Sequence, residues 1–173
     1  RHDAGAFRHH ETEREDHVTI IAAIDPGKSG AIAFLIDGVP QIVEDMPVAD
    51  KAVSPILLRS ILTDMDPHHV VIEQVASRPG QGVSSVFDFG RSYGIALGVC
   101  AQWPTTLVMP QTWKRHHRIP AGSDKEASRA LALRLYPHLS DRLARKSDDG
   151  RAEAMLIGQG LHDTQHNNTY ESE

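Results

Sequence analysis

The residues of this chain whose types and spacing suit chemistry are its acids. Asp25 directly follows the apolar run Val18 to Ile24, Glu73 closes Val70-Val71-Ile72, and Asp148-Asp149 precede Glu153 in the segment KSDDGRAEAMLIG. A single acid at a strand end is ordinarily just solvated. Asp149 and Glu153, however, stand four apart, on one face of a helix if its first turn forms. Like charges at that spacing cost a helix about 0.2–0.5 kcal/mol unless a cation joins them. Acids in a first turn also gain from the helix dipole, and either Asp148 or Asp149 is an ordinary N-cap. If the acids converge, ligands of oxygen alone select a hard cation, Mg²⁺ with Mn²⁺ able to substitute, and no Cys/His cluster has zinc spacing. Two such ions about 4 Å apart would activate a water and stabilise the leaving oxygen in phosphodiester hydrolysis.

That chemistry needs an anionic substrate, so the location of charge matters more than its total. The 173 residues carry 18 Lys+Arg against 23 Asp+Glu, a formal charge of −5. Residues 1–17 hold three Arg and five acids, residues 162–173 hold three acids and no Lys or Arg, and the body between them is balanced at 15 of each sign. Within that body, Gln111 to Lys146 carries nine Lys/Arg and three acids. This is the bias a phosphate-contacting surface needs, with Lys114, Arg115, Arg118 and Lys125 as its candidate contacts. The turn Asp25-Pro-Gly-Lys-Ser-Gly30 is no nucleotide loop: Ala22 stands where GxxxxGK[ST] needs its first glycine, and the spacing also misses GxGxxG.

Elements must position these groups. Val18 to Ile24 is β-rich and nearly continuously apolar, as in a strand covered on both faces; Ala31 to Ile36 and Gln41 to Glu44 are two more strands, the first turning at Asp37-Gly38. Residues 49–63 repeat apolar positions at helical spacing, with Pro55 delaying the start or bending the helix. His69 to Glu73 is a strand, Ala76 to Gly82 a flexible loop, and Val83 to Ala101 a helix whose Gly90, Gly94 and Gly98 share a face suited to close approach of a strand or subunit. Thr105 to Met109 is a fifth strand, a helix runs from Gly122–Lys125 to about Tyr136, and Asp148 to Leu161 contains the last. The order βββαβαβαα predicts one α/β domain over 18–161, a mixed five-stranded sheet flanked by helices. The polar ends, 1–17 and 162–173, read as flexible tails.

Two classes of protein are disfavoured. No stretch reaches eighteen uninterrupted apolar residues and the N-terminus lacks the apolar core of a secretory signal, so membrane insertion and secretion are not expected and a cytoplasmic location is. The single cysteine, Cys100, lies in an apolar run and reads as an inert buried thiol, which excludes a disulfide scaffold.

Four segments in order, IDPGKSG at 24–30, VVIEQV at 70–75, PGQGVSSVFDFGRSYG at 79–94 and KSDDGRAEAMLIG at 146–158, resemble the RuvC-type Holliday-junction resolvases, especially their phage and RuvC-like branch, within the RNase H-like superfamily. The resemblance spans about residues 19–160 and rests on order and spacing, since a DPG turn alone is common. It implies an RNase H-like fold and a homodimeric, Mg²⁺-dependent crossover junction endodeoxyribonuclease that nicks symmetric strands of four-way DNA, leaving a 5′-phosphate and 3′-hydroxyl. Asp25 matches the family's first-strand aspartate and Glu73 its fourth-strand glutamate. Asp148 or Asp149 with Glu153 matches the acid pair of the last helix, and Lys114 and Lys125 match two basic positions after the fifth strand. The pattern departs at the last motif: the bacterial form has aspartates three apart, and Gly150 stands three before Glu153. Motif order favours Asp148 as the ligand and helical geometry favours Asp149.

The same resemblance places Arg78 and the loop Gly80, Gln81 and Gly82 near the strand exchange. Phe87 and Phe89 become dimer, base-facing or core residues, with core packing the simpler reading, and Trp113 either stacks on a base or anchors the basic segment. Rival readings are an RNase H-like nuclease for flaps, hybrids or other branched DNA, a junction-binding protein without catalysis, and a structural dimerisation domain.

Overall fold

The computed structural model describes residues 18–76 and 80–170, without the side chains of Lys125 and of residues 165–170. The segment 1–17, residues 171–173 and Arg78 lie outside the described residues. The strands β1 (Ile20–Asp25), β2 (Ala31–Ile36) and β3 (Val39–Asp45) form an antiparallel meander, and β4 (His69–Glu73) and β5 (Thr105–Val108) add in parallel on the far side of β1. The sheet order is β3-β2-β1-β4-β5, a mixed sheet with β1 at its centre. Asp37 and Gly38 both take positive φ, 49° and 78°, the left-handed pair that lets a two-residue turn follow the strand twist. The Asp37 carboxylate further accepts the Thr19 N–H at 2.8 Å.

The helices are α1 (Pro55–Met65), α2 (Val83–Cys100), α3 (Pro110–His116), α4 (Lys125–Leu135) and α5 (Asp149–Tyr170), with 3₁₀ turns at Pro137–Leu143 and Lys146–Asp148. Pro55 does delay α1: it takes the first turn, where its missing N–H costs nothing, and Ser54 Oγ accepts the Leu57 N–H. Residues Val48–Ala49 and Ala52–Val53, of which those from Ala49 on were read from sequence as helix, form a small hairpin instead. The short α3 has no counterpart in the sequence reading, because seven residues with one apolar anchor, Trp113, show no period. Helix α5 runs on past Leu161, where a frayed tail was expected. Beyond that point polar contacts hold it, Asp163 to His116 at 2.9 Å and Thr164 Oγ1 to the Gly160 carbonyl at 2.7 Å.

Strand alternation divides the core in two. Ile21 and Ala23 of β1, Ala33 and Leu35 of β2 and Val71 of β4 point beneath α5, against Ala152, Met155 and Leu156. Ala22, Ile24, Ile32, Val70 and Ile72 point the other way, against Leu58 and Leu62 of α1 and Ala96 and Cys100 of α2. Burial pushes the Cys100 thiol up to about 12, as an inert thiol requires.

On the glycine face of α2 a Cβ on Gly90, Gly94 or Gly98 would meet no described atom within 4 Å, so of the two expected neighbours, strand or subunit, no strand among the described residues approaches there. Phe87 corrects one expectation, since it is 71% exposed rather than packed in the core. Among the described residues no helix is long and apolar enough to cross a membrane.

Candidate active site

The carboxylates leave the sheet where its pattern directs them. Asp25 continues the Ile21, Ala23 series and Glu73 continues Val71, so both emerge on the α5 side of the sheet. The parallel strands β1 and β4 pair Ile24 with Ile72, which places Asp25 and Glu73 side by side at their C-terminal ends. Glu153, on the inner face of α5 and only 8% exposed, completes an open cleft of about 730 Å³ that all three acids line. The opposite wall is the start of α2, with Gly82, Ser85, Asp88 and Phe89.

Two of these acids, Glu73 and Glu153, are held by side chains of α3. Trp113, 1% exposed on α3, donates its indole N–H to Glu73 Oε1 at 2.8 Å. The next residue, Lys114, brings its ammonium to 3.6 Å from Glu153 Oε1, with Nζ 5.0 Å from the Trp113 ring centre. Helix α3 thus places one donor on each of two acids through adjacent residues. Trp113 is thereby an anchor, and its burial removes it from the candidates for base stacking. Across the cleft Lys28 bonds Asp88 at 2.9 Å, and that bond with the Lys28 and Arg91 charges holds Asp88 below the usual carboxylate range.

The two aspartates before α5 separate. Asp148 is 3% exposed and accepts the Arg145 backbone N–H at 2.8 Å and the Arg145 guanidinium at 2.8 and 3.0 Å, with Arg151 at 3.8 Å. Burial pushes its carboxyl up, but the Arg145 hydrogen bonds and the two arginine charges outweigh that and leave it below the usual range. Asp148 therefore caps the turn that feeds α5 and does not line the cleft. Asp149, half-buried, is the first residue of α5 and shares a helical face with Glu153, although it is not among the cleft-lining residues either. Gly150 accounts for the departure from the bacterial spacing: a Cβ there would lie 2.5 Å from the Ser29 carbonyl oxygen, because the start of α5 presses on the turn after β1. No aspartate fits three residues before Glu153.

The remaining sequence candidates divide. Gly82 precedes α2 and lines the cleft, Gly80 takes φ 84°, and Gln81 is exposed beside them. Arg115 and Arg118 are exposed at the end of α3, and Lys125 is the first residue of α4. Sequence reasoning missed Lys28, Asp88 and the cleft serines, which have no motif of their own. It also missed the Trp113 to Glu73 bond, for which the available signal was chemical: a buried indole N–H needs an acceptor.

The three carboxylates Asp25, Glu73 and Glu153 on the sheet and α5 side of the cleft offer oxygen alone, the donor type a hard divalent cation takes. Among the described residues, no three acidic, histidine or cysteine side chains are gathered closely enough to hold one ion in common.

No family model matches the chain, and no curated protein matches it in sequence. Among solved structures, it is similar to Thermus thermophilus RuvC, at 16% identity with a TM-score of 0.59 over 86% of this chain and 97% of that one. The same protein in complex with a Holliday junction substrate matches at 14% identity, TM-score 0.60, over 86% of this chain and 96% of that one. The yeast mitochondrial Holliday junction resolvase Ydc2 matches at 16% identity, TM-score 0.57, over 88% and 81%. The class is thereby set at the level of architecture: an α/β protein with the RNase H-like fold that RuvC and related resolvases share.

Proposed function

We propose that this chain is a structure-selective endodeoxyribonuclease that resolves four-way DNA junctions by paired symmetric nicks, working as a homodimer with Mg²⁺, for which Mn²⁺ can substitute. The observation that carries the reading is the convergence of Asp25, Glu73 and Glu153, from three distant parts of the chain, on one open cleft at the C-terminal ends of β1 and β4. The fold shared with the resolvases supports the substrate class, since RuvC is solved with a Holliday junction. Asp25, Glu73 and Glu153, with Asp149 one turn earlier on the helix face of Glu153, would hold the metal. Bound there, Mg²⁺ supplies a water nucleophile at neutral pH and charge stabilisation for the leaving oxygen.

The protein's own groups have definable tasks. Trp113 fixes the Glu73 carboxylate so that it is not free to rotate when substrate arrives. Lys114 neutralises Glu153 and, on its flexible stem, can move to a phosphate oxygen or the charge developing in the transition state. Gly82 and the loop before α2 allow close approach of a strand, and Arg115, Arg118 and Lys125 add phosphate contacts beyond the cleft. Homodimerisation is supported by the bare glycine face of α2, which lies beside exposed Phe87 and Val83, and a symmetric junction needs two active sites.

The test compares a mobile four-way junction with linear duplex, flap and RNA–DNA hybrid, in Mg²⁺. Selective cleavage of the four-way junction supports the proposal. Preferential cutting of hybrid or flap shows a different RNase H-like nuclease, and junction binding without cutting in either Mg²⁺ or Mn²⁺ shows a non-catalytic binder.

A further inference from the structure

Helix α3 ends in a backbone arrangement that ordinarily calls for glycine. The Ile119 N–H bonds back to the Lys114 carbonyl at 2.9 Å and the Arg118 N–H to the Arg115 carbonyl at 3.0 Å, the paired bonds of a Schellman cap. In that cap the residue carrying the inner bond adopts the left-handed conformation, and here it is Arg118, with φ 55°. A long side chain is strained there, and strain of this kind persists where the surrounding structure imposes it, commonly at functional sites.

The side chains around the cap explain what the strain obtains. Lys114, Arg115, Arg118 and Gln111 line a second cavity of about 640 Å³ between α3 and the loop to α4, with Gly122 on its floor at φ 78°. None of the described residues lining it is acidic, and no described carboxylate pairs with Arg115 or Arg118. The cavity adjoins the carboxylate cleft through Lys114, whose ammonium reaches Glu153. Three cations around an acid-free hollow attract an anion, and guanidinium forks suit a phosphodiester better than a compact ion.

We infer that this hollow is a phosphate subsite for the cleaved DNA strand, holding a backbone phosphate next to the one in the carboxylate cleft, and that Arg118 is its specific contact. The inference rests on the reading of the chain as a DNA nuclease. The cap fixes both ends of the site: it tethers the Lys114 carbonyl and aims Arg118 from the same turn. A strand that fills the hollow is thereby set in register with Asp25 and Glu73.

The experiment measures binding of an immobile four-way junction without divalent metal, as a function of salt, together with thermal unfolding of the free protein. The variants are Arg118→Gly, Arg118→Ala and Arg118→Lys. Arg118→Gly relieves the strained φ while deleting the guanidinium, so Tm rises by about 2 °C. Junction affinity falls about tenfold, and the slope of log K against log salt loses about one unit. Arg118→Ala loses the same affinity without the gain in Tm, and Arg118→Lys keeps the salt slope with an intermediate affinity. If Arg118→Gly binds with wild-type affinity and slope, the subsite is overturned while the nuclease reading stands. A lower Tm for Arg118→Gly overturns the strain argument, and a wild-type protein that neither binds nor cuts junctions overturns both readings.

Discussion

The indole N–H of Trp113 lies 2.8 Å from Glu73 Oε1, so a fully buried residue of α3 holds a carboxylate at the end of β4, forty positions earlier in the chain. This bond links the packing beneath α5 to the chemistry of the cleft, and it predicts how a conservative change behaves. Trp113→Phe keeps most of the apolar contact but removes the donor. Loss of an orienting partner of this kind typically costs about 10–100-fold in metal affinity or activity. Junction cleavage at saturating DNA should fall by that range while the Mg²⁺ needed for half-maximal rate rises. An unchanged Mg²⁺ requirement would mean that the bond does not orient Glu73.

Asp148 and Asp149 should respond oppositely to neutralisation. Asp148→Asn removes the charge and one of the two acceptor oxygens that face Arg145 and Arg151 in a buried cap, and should lower stability at neutral pH by about 1–3 kcal/mol. The folded protein holds the Asp148 carboxyl below its usual value of 3.8, so its stabilising contribution is full above about pH 4 and is lost as pH falls through the folded value. Denaturant unfolding of wild type and Asp148→Asn should therefore converge at acid pH. Asp149→Asn should leave unfolding within about 0.5 kcal/mol of wild type and suppress cleavage. Full activity in Asp149→Asn would return the ligand role to Asp148.

The sequence spacing of the bacterial enzymes cannot be rebuilt here. Gly150→Asp places a Cβ 2.5 Å from the Ser29 carbonyl oxygen, so the turn after β1 must shift. Destabilisation of about 1–3 kcal/mol is expected, with no gain in cleavage. Chemical denaturation and an activity assay on the same preparation check both halves.

The five strands, the late start of α1 and the acids at the ends of β1 and β4 were legible because apolar alternation and strand-end position are local signals. What was illegible depends on contacts between distant segments. Motif order and helical spacing point to different members of the pair Asp148 and Asp149, and only Arg145 and Arg151 closing on the first of them distinguishes a cap from a candidate ligand. Trp113 read equally well as base platform or anchor until its indole met Glu73. Helix α3 is too short to show a period. The end of α5 is polar in sequence yet held by His116, whose partner Asp163 lies 47 positions away.

His117 predicts a second pH dependence of stability, nearer neutrality than that of Asp148. Its Nε2 lies 2.8 Å from the Leu156 carbonyl, which can only accept, so the ring nitrogen carries the proton and ties α3 to α5. Burial lowers its pKa, with His116 also lowering it, against the Leu156 bond and Asp163, which raise it. The unfolded chain takes up a proton below about pH 6.5 while the folded ring stays neutral, so stability falls as pH drops from there toward the folded value. Thermal unfolding between pH 7.5 and 5.5 should show a smaller fall in Tm for His117→Gln than for wild type. Equal falls would place the titration elsewhere.

The central claim is that Asp25, Glu73 and Glu153 form one metal-dependent site that acts twice on a symmetric junction. The most direct measurement maps nick positions on one fixed and one mobile four-way junction across a Mg²⁺ titration, for wild type and a folded Asp25→Asn variant. The account predicts paired nicks at symmetric positions near the crossover, absent without metal and reduced at least about 100-fold in Asp25→Asn. Single asymmetric nicks, cleavage without divalent metal, or wild-type cutting by Asp25→Asn would contradict it.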